Sequence, residues 1–124
     1  MAANANPGRT ASRPPWAHVL ATAILVVLLS AAYLGAMRFV IEYSDPHGHY
    51  TRDERDLVYL WLHLGVLAAA LVAGFGLGRW LRSAGAGYAV LLVILLASMM
   101  VAAQLGSQEL ACSGHDGLIR HWTC

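Results

Sequence analysis

Residues 51–80 read TRDERDLVYLWLHLGVLAAALVAGFGLGRW. Charge crowds the opening six positions and then stops, with no Asp, Glu, Lys or Arg from Leu57 to Gly78. Roughly 20 apolar residues in a helix cross the ~30 Å hydrocarbon core of a bilayer. A helix is required there because lipid cannot satisfy exposed backbone N–H and C=O groups. The ends of this stretch carry their own signals. Thr51 and Glu54 have the three-residue offset of a capping box, which predicts a helix that begins above the membrane. Asp53, Glu54 and Asp56 suit the positive end of that helix's dipole. At the far end, Arg79-Trp80 is a pair suited to the headgroup level.

Two further stretches have the same character, about 16–41 (with Ala17–Met37 free of charge) and about 87–105. The fold class is therefore all-α: a polytopic integral membrane protein with three transmembrane helices over 16–41, 57–78 and 87–105. Composition agrees. The chain is 58% hydrophobic and 12% charged, against about 25% charged in ordinary soluble domains. A soluble chain of 124 residues could not bury that much apolar surface. Trp16, Tyr43, Tyr59, Trp61, Trp80 and Tyr88 fall near span ends, where amphipathic rings favour the interface. Arg38 can snorkel outward or pair with Glu42 one turn on. Ser30-Ala31-Ala32 resembles a signal-peptide cleavage site, but the apolar run continues past it, which argues against removal.

Around the 16–105 membrane domain, residues 1–15 are expected to form a disordered cytoplasmic tail that Pro14-Pro15 separates from the first helix. Residues 42–56 make a loop with a turn at Asp45-Pro46 and Gly48. The connection 82–87 is short and glycine-rich, so spans two and three are antiparallel neighbours. Residues 106–124 form a second tail.

Three spans divide the charges unevenly. One side receives Arg9, Arg13, Arg79 and Arg82 and no acid; the other receives Arg38, Arg52, Arg55, Arg120 and all seven carboxylates. Counting arginines alone gives a tie. Two observations break it in favour of N-terminus inside and C-terminus outside: the acid-free character of the first side, and the placement of Cys112 and Cys124 in the second-side tail, where paired cysteines suit an oxidising compartment. A Cys112–Cys124 disulfide would close a loop of about a dozen residues, worth around 3 kcal/mol in the chain-entropy model. All eight cations are arginine, a bias of high-GC genomes that points to a bacterial inner (plasma) membrane. The net charge of +1 gives no reason to expect nucleic acid as a partner.

Few residues carry chemistry. His63 is the clearly intramembrane ionisable group, about 9 Å below the outer end of span two. Such groups are candidates for function, and His63 could relay protons, line a quinone pocket or ligate haem. It could equally hydrogen-bond to another helix, and Gln104 lies at comparable depth in span three. His18 lies near the opposite end of span one, so the second ligand of any haem would have to come from a partner subunit. Tyr59, His63, Leu67, Ala70 and Gly74 share one helical face, and Gly74 and Gly78 form a G-x-x-x-G pair. Ala70, Gly74 and Gly78 are thus candidates for close helix packing, within the chain or against a partner. No strand precedes these glycines, which rules out a nucleotide-binding loop. His47, His49, His115 and His121 are candidate metal ligands in the outer segments, although their spacing matches no known site. Ser30, Ser98 and Ser107 have no base in a recognisable arrangement, and no catalytic motif is present.

The function these features fit best is a small non-catalytic accessory subunit or assembly factor of a larger bacterial membrane complex, held in the lipid bilayer. The alternatives are a redox-complex anchor contributing a haem or quinone site through His63, and a homo-oligomeric pore.

Overall fold

The computed structural model describes residues 13–81 and 84–115. It contains three helices: α1 (Pro15–Ser44), α2 (Arg52–Trp80) and α3 (Gly85–Cys112). All three are long and apolar enough to cross a membrane, with mean hydropathy of 2.3, 2.0 and 2.4 over their most apolar windows.

Each helix begins and ends for a local reason. Pro15 opens α1, where its missing N–H and fixed φ cost nothing. At the other end, the Ser44 hydroxyl donates to Val40 O and the Asp45 N–H donates to Ile41 O, and Pro46 prevents continuation. The capping box expected at α2 is present in both directions. Thr51 N–H donates to Glu54 Oε2 at 2.7 Å, and Glu54 N–H donates to Thr51 Oγ1 at 3.4 Å. α3 runs through Cys112, so the helix continues for seven residues past Leu105, where the third span is expected to end. No proline interrupts that segment, and Ser107 is fully buried within it. α3 then closes with Gly114 at φ +83° and His115 N–H donating to Leu110 O, a Schellman arrangement that only a left-handed residue completes.

The α1–α2 connection is organised by one carboxylate. Asp45 Oδ1 accepts from His49 N–H at 2.7 Å and Oδ2 from Tyr50 N–H at 2.8 Å. Gly48 takes φ +71° between them, which suits a glycine. Burial pushes the Asp45 carboxyl upward, but those two N–H donors, helped by the charges of Arg55 and His49, outweigh it and hold the group below its ordinary 3.8. Glu54, bonded by the backbone and hydroxyl of Thr51, is likewise held below its ordinary 4.5.

The helices run up, down and up. Tyr33 of α1, His63 of α2 and Gln104 of α3 meet toward one end, while His18 of α1 meets Tyr88 of α3 at the other. The first can be named the acidic end and the second the acid-free end, after their sequence. The core consists of Tyr33 and Met37 from α1, Tyr59 and Ala70 from α2, and Leu96 and Met100 from α3.

α2 and α3 form the closest pair. A Cβ placed on Gly74 would stand 2.7 Å from the Ala89 Cα and 2.8 Å from the Tyr88 carbonyl oxygen; one on Gly78 would stand 2.6 Å from the Gly85 Cα. These are backbone atoms that no rotamer change can move. The two helices therefore touch main chain to main chain, the contact small residues permit in lipid. α1 is more peripheral, with 6% of its most apolar window buried against 22% in α3.

Candidate functional site

Tyr33 is the most enclosed large polar side chain of the bundle, at 0% exposure. Its place on α1 puts the phenol between α2 and α3, where a hydroxyl without a partner would cost several kcal/mol. It has two partners. Tyr33 Oη lies 3.0 Å from His63 Nε2 and 2.9 Å from Gln104 Nε2. The amide nitrogen also stands 3.2 Å from His63 Nε2. The Tyr33 and His63 rings meet edge to face, 5.5 Å between centroids and 69° between planes. One side chain from each helix thus enters a single hydrogen-bonded cluster.

The direction of these bonds follows from the one group that can only accept. His63 Nδ1 is 2.6 Å from the carbonyl oxygen of Tyr59, one turn earlier on α2. Nδ1 must therefore carry the proton and donate, and in that tautomer the Nε2 lone pair is the acceptor. Tyr33 O–H donates to that lone pair, and Gln104 N–H donates to the Tyr33 oxygen. The chain Gln104 → Tyr33 → His63 → Tyr59 carbonyl is consistent from end to end, and each bond polarises the next.

This arrangement bears on cofactor chemistry. The Nδ1–H to carbonyl bond is the kind that fixes a histidine's tautomer for metal binding through Nε2. Here, however, Nε2 faces a phenol and an amide instead of an open space. A haem iron about 2 Å from that nitrogen would have to displace both side chains, so the residues do not fit haem as they stand. The same atoms are well suited to cross-linking three helices.

A second polar contact lies at the acid-free end. His18 Nδ1 is 2.7 Å from Tyr88 Oη, with ring centroids 6.1 Å apart. It joins α1 to α3 only. Beside it, the Arg13 guanidinium lies 3.7 Å from the Trp80 ring centroid, and that of Arg79 lies 5.8 Å from Phe75.

The other residues singled out from sequence are scattered. Ala70, Gly74 and Gly78 are buried, and the two glycines lie against α3 of the same chain, so that face is already covered. His47 and His49 stack on each other at 5.9 Å and 12°. His115 Nδ1 is near the Ser113 hydroxyl at 3.2 Å. His121 and Cys124 lie outside the described residues. Among the described residues no group of three metal-ligating side chains forms. Cys112 is the exposed last residue of α3.

Tyr33 is the member of the cluster that sequence reasoning overlooked. Its signal was a tyrosine well inside an apolar span, away from the interfacial belt, where its hydroxyl had to find a partner. The sequence places His18 and Tyr88 only at the level of a span end, and their equal depth is the signal that pairs them.

No protein-family model, curated protein or solved structure matches this chain.

Proposed function

We propose that this chain is a small non-catalytic accessory subunit or assembly factor of a larger membrane complex. It sits in a bacterial inner membrane with its N-terminus inside and its C-terminal tail outside. One observation carries the proposal. Among the described residues no buried side-chain nitrogen or oxygen lacks a hydrogen-bond partner, so the polar groups of the spans serve the bundle's own cohesion. What faces outward is apolar, as at Val19, Val27, Val72, Val90 and Val101. Such a surface suits lipid and the helices of a neighbour.

Because α3 covers Gly74 and Gly78, a partner's helix meets other faces of the bundle, with α1 the most open of the three. In this reading a Cys112–Cys124 disulfide closes the tail beyond α3, for which the placement of both cysteines at the C-terminal side speaks. A redox anchor is less favoured, because Tyr33 and Gln104 occupy the side of His63 that a metal would need. A pore is less favoured because Tyr33, His63 and Gln104 face one another inside the bundle.

The test is purification of the tagged full chain from its own membranes in mild detergent, with mass spectrometry and a visible spectrum on the same sample. A stoichiometric larger membrane protein is the expected companion, with no haem band that depends on His63. A clean small oligomer without a partner would overturn the proposal, and a haem band lost in His63→Leu would replace it with the redox reading.

A further inference from the structure

The acid-free end of the bundle has a charge problem that the total of +1 conceals. Arg13 and Arg79 lie there, and the sequence has no carboxylate from Met1 to Ile41 or from Leu57 to Gln108. Among the described residues every acid belongs to the other end. Among the described residues neither guanidinium forms an ion pair or donates a hydrogen bond; each is held only over an aromatic face, Arg13 at 3.7 Å from Trp80 and Arg79 at 5.8 Å from Phe75. A cation–π contact of this kind does not use up the N–H donors of a guanidinium. Those donors form the fork that matches two oxygens of a phosphate.

Depth supplies the identity of the acceptor. Arg13 immediately precedes α1 and Arg79-Trp80 ends α2, so both cations stand where apolar helix gives way to polar chain. Trp80 is 54% exposed beside them, and an exposed tryptophan at a span end sits at headgroup level. We propose that Arg13, seated on Trp80, together with Arg79 forms a binding surface for the phosphodiester of an anionic phospholipid. A zwitterionic headgroup serves less well, because its own ammonium competes for the phosphate. The inference depends on the three helices being membrane spans and is independent of the accessory-subunit reading.

The test uses the full chain in detergent, titrated with phosphatidylglycerol or phosphatidylcholine and read by native mass spectrometry of retained lipid. An arginine near an anionic surface contributes about fivefold in affinity. The preference for phosphatidylglycerol should therefore fall about fivefold in Arg13→Gln or Arg79→Gln and roughly twenty-five-fold in the double variant. Arg52→Gln, at the other end, should leave it unchanged. Arg13→Lys/Arg79→Lys keeps the charge but loses the fork, and should retain phosphatidylglycerol less well than the unsubstituted chain does. Equal retention of the two lipids by the unsubstituted chain would overturn the proposal, and that measurement needs no variant to fold. Displacement of the lipid by millimolar inorganic phosphate would also overturn it in favour of a soluble anion. Undiminished retention of phosphatidylglycerol by the double lysine variant would overturn the forked contact, since diffuse surface charge would then suffice.

Discussion

The two ends of this bundle are held together by different physics. At the acidic end, three side chains of middling size, Tyr33, His63 and Gln104, stand between the helices and bond to one another. At the acid-free end, α2 and α3 meet with almost nothing between them, Gly78 against Gly85 and Gly74 against Ala89. The hydrophobic effect gives helices little reason to associate in lipid, because lipid tails are as apolar as leucine. What remains is close packing, which needs small residues, or hydrogen bonds, which need polar ones. This chain uses one at each end. The glycine contact fixes how near α2 and α3 come. The polar cluster fixes the rotation of each helix about its axis, because only one rotation brings all three side chains inward. It also ties in α1, which has the least buried surface to hold it.

The largest expected effect comes from breaking the glycine contact. Gly78→Leu must push α2 and α3 apart against backbone atoms, and overpacking of this kind typically costs about 1–3 kcal/mol. Unfolding of the reconstituted protein by steric trapping would measure it. Engineered cysteine cross-links between α2 and α3 should fail at the acid-free end before they fail near His63. A Gly78→Leu protein as stable as the original would mean that the close approach is not what joins these helices.

Next in size is the polar cluster. Tyr33→Phe removes a single oxygen and leaves His63 Nε2 and Gln104 without their shared partner. Interhelical hydrogen bonds in membranes average about 0.6 kcal/mol and reach about 1.7; the upper part of that range is expected here because two bonds are lost. A double-mutant cycle with Gln104→Leu should give a clear coupling energy. Additive effects would show that the cluster is not one unit. Tyr88→Phe breaks the single bond to His18 and joins only α1 and α3, so a loss near the average of about 0.6 kcal/mol is expected in the same assay. Equal losses for Tyr33→Phe and Tyr88→Phe would erase the distinction between a cluster of three helices and a pair.

The smallest effect is confined to the acidic end and depends on pH. Asp45 and Glu54 are both held below their ordinary values of 3.8 and 4.5 by the groups they bond in the fold. A carboxylate lowered in this way stabilises the folded state above its unfolded pKa, and that contribution disappears as pH falls through the lower folded value. The protection of the His49, Tyr50 and Glu54 amides, relative to their intrinsic exchange rates, should therefore fall below about pH 4, while residues around Tyr88 keep theirs. Asp45→Asn should loosen His49 and Tyr50 at neutral pH and flatten that dependence.

The sequence made the architecture legible because each relevant signal was local. An uncharged run of span length, a capping box at Thr51 and Glu54, and prolines at 14, 15 and 46 each announce a helix or its end without reference to the rest of the chain. The continuation of α3 past the expected span end at Leu105 is less legible for the converse reason. Gly106-Ser107-Gln108-Glu109 looks like an exit from lipid, yet nothing in it stops a helix, and the burial of Ser107 is a tertiary fact.

The site was half legible. Depth along the helices brought His63 and Gln104 to the same level, but depth carries no information about rotation. It could not show that Tyr33 turns inward with them, nor that Gly74 and Gly78 would face Ala89 and Gly85 instead of another subunit. Orientation about the helix axis depends on all three helices at once, and that is why it escaped a reading taken one span at a time.

The claim on which the rest depends is that His63 is a structural acceptor, protonated at Nδ1 and bonded at Nε2. The direct measurement is the 15N NMR spectrum of histidine-labelled protein in lipid bicelles, with His63 assigned through His63→Leu. The account predicts a protonated Nδ1 and an unprotonated, hydrogen-bonded Nε2 whose shift moves in Tyr33→Phe. A proton on Nε2, or a spectrum indifferent to Tyr33, would contradict it.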